Sequence, residues 1–283
     1  MQDSYTLNND ITIPKVGFGT WMIDDTAVVQ AVKDALEMGY RHIDTAQAYG
    51  NERGVGEAIR TAGVSREEIF VTSKIAAEHK TYEAAARSID ESLEKMGIDT
   101  IDMMIIHAPQ PWDEFREANY DKENIEVWRA LEDAYQQGKI RAIGLSNFKQ
   151  HDLENILSHS TIKPAVNQVL AHIANTPFDL IRFCEEKGIL IEAYSPIGHG
   201  ALLSHPILEE MANKYHVSIP QLGIRYCLEL GLLPLPKSAT KAHIESNTKV
   251  DFSIDLQDMD ILKNVKEIED YGDSNHFPVY NKK

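Results

Sequence analysis

The sequence predicts an α/β fold, a (β/α)8 TIM barrel preceded by a short N-terminal β-hairpin. Three observations carry that expectation. Eight short apolar segments read as strands, and most are followed by a stretch of helical periodicity. Such alternation gives parallel strands with right-handed crossovers, and eight units in 283 residues fit a closed barrel. The competing doubly wound sheet lacks its dinucleotide fingerprint. Gly17-Phe18-Gly19 has no third glycine at Met22, and Gly54-Val55-Gly56 opens a helix instead of following a strand. No linker composition divides the chain, so residues 1–283 read as a single domain.

Residues 5–13 alternate around Asn8-Asn9-Asp10 and suggest the hairpin. A strand follows over Lys15 to Gly19. The helix from Thr26 to Met38 carries an apolar stripe (Val28, Val29, Val32, Ala35, Leu36), and Gly39 is placed to end it. Tyr40 to Asp44 is the next strand. In the helix after it, Asn51 is a candidate N-cap, Glu52 suits the positive helix end, and Val55, Ala58 and Ile59 face inward. Strand Ile69 to Lys74 leads to helix Tyr82 to Met96. Strand Thr100 to His107 is apolar throughout its MMII core, as expected of a strand covered on both faces. A polar loop, Ala108 to Glu123, precedes helix Ile125 to Gln137. Further strands are Ile140 to Leu145, Ala165 to Val169, Ile189 to Tyr194 and Leu232 to Leu235. The helices among and after them fall at Gln150 to Ser158, Pro177 to Lys187, Pro206 to Tyr215, Pro220 to Leu230, Lys241 to Thr248 and Asp258 to Glu269.

With 43% apolar and 25% charged residues the chain reads as globular. A net charge of -16 argues against nucleic acid or an anionic membrane as partner. The two cysteines, Cys184 and Cys227, sit in apolar helical contexts, with no disulfide framework and no metal-ligand spacing, so no metal is expected. Reduced thiols, a polar N-terminus without a signal core, and no apolar run near the ~20 residues of a membrane span together point to the cytoplasm.

In a barrel the chemistry lies at the carboxyl ends of the strands. Those ends carry Asp44, Lys74, His107, Ser146-Asn147, Gln168, Tyr194-Ser195 and Lys237-Ser238, with Tyr49 in the loop beyond Asp44. Any one has an ordinary explanation: a capping aspartate, a rim lysine, a satisfied core histidine. All of them at one end of one barrel point to an active site.

The chain resembles the aldo-keto reductase family from end to end. The matching segments are GFGTW (17–21), GYRHIDTAQAYGNERGVGEAI (39–59), VTSK (71–74), IIHAP (105–109), KIRAIGLSNF (139–148), NQV (167–169), AYSPIG (193–198) and LPKSAT (235–240). The resemblance implies reduction of aldehydes, ketones or dicarbonyls to alcohols with NADPH, NADH being a second candidate. It implies a catalytic set of Asp44, Tyr49, Lys74 and His107. Tyr49 would be the general acid, Lys74 would lower its pKa, Asp44 would hold Lys74, and His107 would orient the carbonyl oxygen. It implies that Ser146, Asn147 and Gln168 bind the nicotinamide carboxamide and that Tyr194 stacks on the ring. Ser195, Ile197 and Gly198 would hold the pyrophosphate, and Lys237, Ser238, Thr240, His243 and Asn247 the adenosine 2′-phosphate end, with Lys241 adding charge. The substrate pocket would be walled by Trp21, Tyr49, His107 and Trp112, with Phe277 as a further candidate, and the expected state is a monomer.

Three departures from the family pattern bear on specificity. His243 stands where many relatives carry arginine, and a neutral imidazole supplies less charge to a 2′-phosphate. Ser246 replaces a common acidic or amide residue. Ala108 replaces a common tryptophan, a gap that Trp112 in the same loop is placed to fill. Two rivals share the fold: a nucleotide-binding regulatory protein without turnover, and a lyase using Lys74 or Lys237 as a Schiff-base amine.

Overall fold

The computed structural model describes residues 3–281. Its first element is the expected hairpin, β1 (Ser4–Thr6) paired antiparallel with β2 (Thr12–Pro14). The turn brings Asp10 to φ 65°, a left-handed conformation that Asp tolerates better than most residues. Leu7 and Ile13 pack against Phe70, Met103, Ile105, Leu233 and Leu235 inside the barrel. Asn8 and Asn9 donate to the carbonyls of Pro164 and Arg141, at the starts of barrel strands. The hairpin therefore plugs the N-terminal end.

Eight parallel strands follow in sequential spatial order: β3 (Phe18–Gly19), β4 (His42–Asp44), β5 (Phe70–Ile75), β6 (Ile101–Ile106), β7 (Ile140–Ser146), β8 (Val166–Leu170), β9 (Leu190–Tyr194) and β10 (Leu233–Leu235). The seam between β10 and β3 is closed by Gly17 N–H to Pro234 O at 3.1 Å and Gly19 N–H to Pro236 O at 3.0 Å. Two prolines on one side of this seam offer carbonyls but no N–H, so the pairing is short. A Cβ on Gly17 would lie 2.5 Å from His42 Nδ1 and from Leu235 Cδ2, which explains a glycine at the joint. All six residues of β6 are buried: Met103 and Ile105 point into the barrel, Met104 and Ile106 into the helical layer.

The helices outside are α1 (Ala27–Glu37), α2 (Glu52–Thr61), α3 (Tyr82–Met96), α4 (Asp121–Gln136), α5 (Gln150–His159), α6 (Phe178–Lys187), α7 (Pro206–Lys214), α8 (Ile219–Glu229), α9 (Lys241–Ser246) and α10 (Leu256–Lys263). Gly54 and Gly56 are contact points between α2 and its neighbours. A Cβ at Gly54 would sit 2.1 Å from Asp25 O, and one at Gly56 2.0 Å from Met96 O.

Three expectations shift. The strand expected from Lys15 shrinks to Phe18–Gly19, because Lys15 N–H pairs with Asp3 O and extends the hairpin instead. The helix expected at Asp258–Glu269 starts at Leu256 and stops at Lys263; beyond it Ile268 N–H docks on Ala174 O. The loop expected to run to Glu123 ends sooner, since α4 begins at Asp121. Among the described residues no helix is long and apolar enough to cross a membrane.

Candidate active site

Asp44 ends β4, and Lys74 lies near the end of the adjacent β5. Lys74 is fully buried. Its ammonium donates to Asp44 Oδ1 at 2.6 Å, to Thr45 O at 2.9 Å and to the Tyr49 hydroxyl at 3.2 Å. Three N–H groups meet three acceptors, so the charge is aimed and satisfied. Burial pushes the ammonium pKa down, but Asp44 and Tyr49 together outweigh it and hold Lys74 above its ordinary value.

Tyr49 closes a 3-10 turn, Gln47–Tyr49, which Gly50 ends in the left-handed region at φ 67°. Gln47 locks that turn: its amide donates to Ser88 O and Ser92 Oγ on α3 and accepts from Ala76 N–H. The residue after the turn corrects an expectation. Asn51 sits at the N-cap position but makes no side-chain cap. Its amide donates to Thr20 O and Ile23 O and accepts from Thr45 Oγ1, tying the loop after β3 to the end of β4. Glu52 stands in the first turn of α2, as expected. It is buried, accepts from Ser73 Oγ, and burial raises its pKa.

Burial also raises the Tyr49 phenol; Lys74 pulls the other way, and Asp44 adds to the rise. Lys74 thus acts on the phenol in the expected direction, while burial works against it and leaves the pKa above its ordinary value. His107 follows β6 and stacks edge-on against Tyr49, with ring centroids 5.6 Å apart. Burial, then the nearby Lys74, push its imidazole well below the usual range, so the ring is neutral at pH 7. Its Nδ1 is buried without a partner, which leaves Nε2 as the nitrogen available to the cavity. Trp112 packs edge-on against His107, with ring centroids 5.1 Å apart.

Gln168 on β8 links this group to the barrel interior. Its Nε2 donates to Asp44 Oδ2 and to Glu192 Oε2, each at 2.8 Å. Ser146 Oγ donates to Gln168 O, Asn147 Nδ2 to His107 O and Ser146 Oγ, and the Tyr194 hydroxyl to Asn147 Oδ1 at 2.7 Å. Asn147 and Ser195, just beyond β7 and at the end of β9, hold left-handed φ values of 62° and 51°. Such strain in non-glycine residues gathers at functional loops.

These side chains face a cavity of about 600 Å³ at the carboxyl ends of the strands. Trp21 lines it beside Phe277 and Tyr280 of the C-terminal segment, at centroid distances of 4.8 and 6.4 Å. The model of the aldo/keto reductase family matches residues 15–267. The chain belongs to this family. It is 41% identical over 273 residues to an uncharacterised oxidoreductase of Bacillus subtilis (strain 168), covering 94% of each chain. It is 38% identical to the glyoxal reductase of the same organism, covering 96% of each. A solved Bombyx mori aldo-keto reductase in complex with NADP superposes with a TM-score of 0.85 at 35% identity, covering 98% of each chain.

Among the reductase's expected site residues, Trp21, Asp44, Tyr49, His107 and Trp112 line the cavity, as do Ser146, Asn147, Gln168, Tyr194, Ser195, Ile197 and Lys237. Lys74 stands behind Tyr49. Gly198, Ser238, Thr240, His243 and Asn247 do not line it; they lie in the loop after β9, in the loop after β10, and on α9 or at its ends. Lys241, expected at an anion site, is instead paired with Glu37 and Asp34 of α1 at 2.6 and 3.5 Å.

Sequence reasoning missed four residues. Arg116 reaches from the β6–α4 loop to Asp152 and to Asn147 O, pinning that loop across the site. Tyr280 is fully buried and shares a 2.7 Å hydrogen bond with Ser195 Oγ. His199 packs edge-on against Trp21 and Tyr280. Glu192 lies unexposed beneath Gln168. A glutamate in the otherwise apolar strand core LIEAY was the one available signal.

Proposed function

We propose that this reductase uses NADPH to reduce small aldehydes, ketones or dicarbonyls, with Tyr49 as general acid, acting as a monomer in the cytoplasm. The observation that carries the reading is a fully buried Lys74 ammonium whose third hydrogen meets the Tyr49 hydroxyl beside a neutral His107. Bound NADPH would supply the hydride to the carbonyl carbon. As the carbonyl oxygen gains charge, the Tyr49 hydroxyl gives it a proton and becomes a phenolate. The Lys74 ammonium, 3.2 Å away, stabilises that phenolate, and Asp44 keeps the ammonium charged and aimed. His107, neutral, can present Nε2–H to the same oxygen and hold it for transfer.

The residues present fit the cofactor at two points. Ser146 and Asn147 donate their hydrogens within the site, whereas Gln168 lines the cavity with both amide hydrogens engaged by Asp44 and Glu192, so its Oε1 suits a carboxamide N–H. Lys237 is exposed at the cavity and makes no ion pair with the described residues, so it is the cation left for a 2′-phosphate once Lys241 is engaged by α1. The lyase reading is disfavoured by Lys74 itself. All three of its hydrogens are donated and its pKa is raised, so it has no free lone pair for a carbonyl carbon.

A panel of small carbonyls, assayed with NADPH and NADH by nicotinamide absorbance, tests the reaction. Turnover of aldehydes or dicarbonyls with NADPH is expected, and no oxidation with any of them would overturn the proposal in favour of a regulatory role. Light scattering reporting more than one chain per particle would overturn the monomer, and recovery in a membrane fraction the cytoplasmic assignment.

A further inference from the structure

We propose that Glu192 is a positioning residue for the cofactor: its contact with Gln168 fixes that amide with the oxygen toward the cavity, so that the site selects a nicotinamide substituent able to donate a hydrogen bond. The inference rests on the cofactor reading above. Gln168 and Glu192 are register partners on β8 and β9, so their side chains leave neighbouring strands side by side. Both amide hydrogens of Gln168 are taken by carboxyl oxygens, Asp44 Oδ2 on one side and Glu192 Oε2 on the other, at 2.8 Å each. A Gln168 turned end for end would set its oxygen against both. With Asp44 as sole anchor, the second N–H would be unmatched and the amide freer to rotate.

Glu192 is fully buried, and its Oε1 has no partner. An unmatched carboxyl oxygen in a strand interior is expensive, and an apolar residue would pack there more cheaply. Burial, with Asp44 adding to it, raises the Glu192 pKa to about 8. At neutral pH the group is thus mostly protonated, and it anchors Gln168 without placing a second full charge beside Asp44. Its oxygen accepts from Gln168, and its proton rests on the side away from it.

The probe is the 3-acetylpyridine analogue of NADP, in which a methyl group replaces the carboxamide NH2; the substituent's carbonyl remains and the donor is lost. Dissociation constants for NADP and the analogue are read from protein fluorescence quenching, without turnover, in wild type, E192Q and E192L. Wild type should prefer NADP about fivefold, the worth of one net hydrogen bond. E192Q, whose amide oxygen can still accept from Gln168, should keep most of that preference. E192L should reduce it below about twofold. Glu192→Thr, too short to reach Gln168 and suited to a strand, replaces E192L if circular dichroism shows that variant unfolded. Unchanged discrimination in E192L or E192T, or equal loss in E192Q, overturns the role of Glu192. Wild type that binds neither dinucleotide overturns the cofactor reading itself.

Discussion

Replacing Lys74 by methionine tests both halves of the site, its stability and its proton chemistry. Methionine fills much of the lysine volume but leaves Asp44 with one side-chain partner, the Gln168 amide at 2.8 Å. Breaking a buried ion pair by removing one member costs about 3–5 kcal/mol. At roughly 2 °C per kcal/mol for a chain of this size, melting should fall by about 6–10 °C. The rate should fall by about 10²-fold or more, since the phenolate formed at Tyr49 loses the cation 3.2 Å away. The direction of the pH effect follows from the charges. Reduction needs Tyr49 protonated, so the rate declines as pH rises through its pKa. Burial holds that pKa up and Lys74 holds it down, so removing Lys74 shifts the alkaline limb to higher pH. Thermal melting and kcat at pH 7 measure the two losses, and kcat followed from pH 7 to 11 measures the displacement of the alkaline limb. A variant that melts like wild type, or that turns over fully at saturation with only a raised KM, would refute the role assigned to Lys74.

Tyr49→Phe should lower carbonyl reduction by about 10²–10⁴-fold while the NADPH dissociation constant stays within about twofold; near wild-type reduction of an unactivated aldehyde would remove Tyr49 as the acid. His243→Arg, on the exposed face of α9, should tighten NADPH several-fold and leave NADH unchanged, measured by fluorescence quenching; an equal effect on both would place His243 away from the 2′-phosphate. Gly54→Ala should cost about 1–3 kcal/mol in denaturant unfolding, because its Cβ would lie 2.1 Å from the Asp25 carbonyl, and a neutral outcome would mean that α1 and α2 can separate without penalty.

The barrel was legible because its signals are repeated. Each strand-to-helix unit carries its own change of apolar period, and an error of a few residues in one leaves the others intact. Errors fell where local pattern and long-range pairing disagree. Lys15 and Val16 look like strand, yet the hydrogen bond from Lys15 goes to Asp3, a partner no periodicity can name. Gly54 and Gly56 lie inside α2, not in a phosphate loop after a strand. Their purpose became visible only when α2 met the carbonyls of Asp25 and Met96.

The site divides along a different line. Residues at strand ends were legible one by one, since the barrel's topology says where each end points. The wiring among them was not, because it depends on which acceptor each side chain finds after folding. Asn51 has the residue type of a helix cap, and its three hydrogen bonds serve another purpose: they hold the loop from β3 against the end of β4. Lys241 has the charge for a phosphate and spends it on α1. The Tyr49 pKa shows the limit most plainly. A cation at hydrogen-bond distance lowers a phenol's pKa, and residue types alone suggest no more than that. Desolvation of the same phenol acts in the opposite direction and exceeds it, a comparison of magnitudes that requires the walls of the cavity.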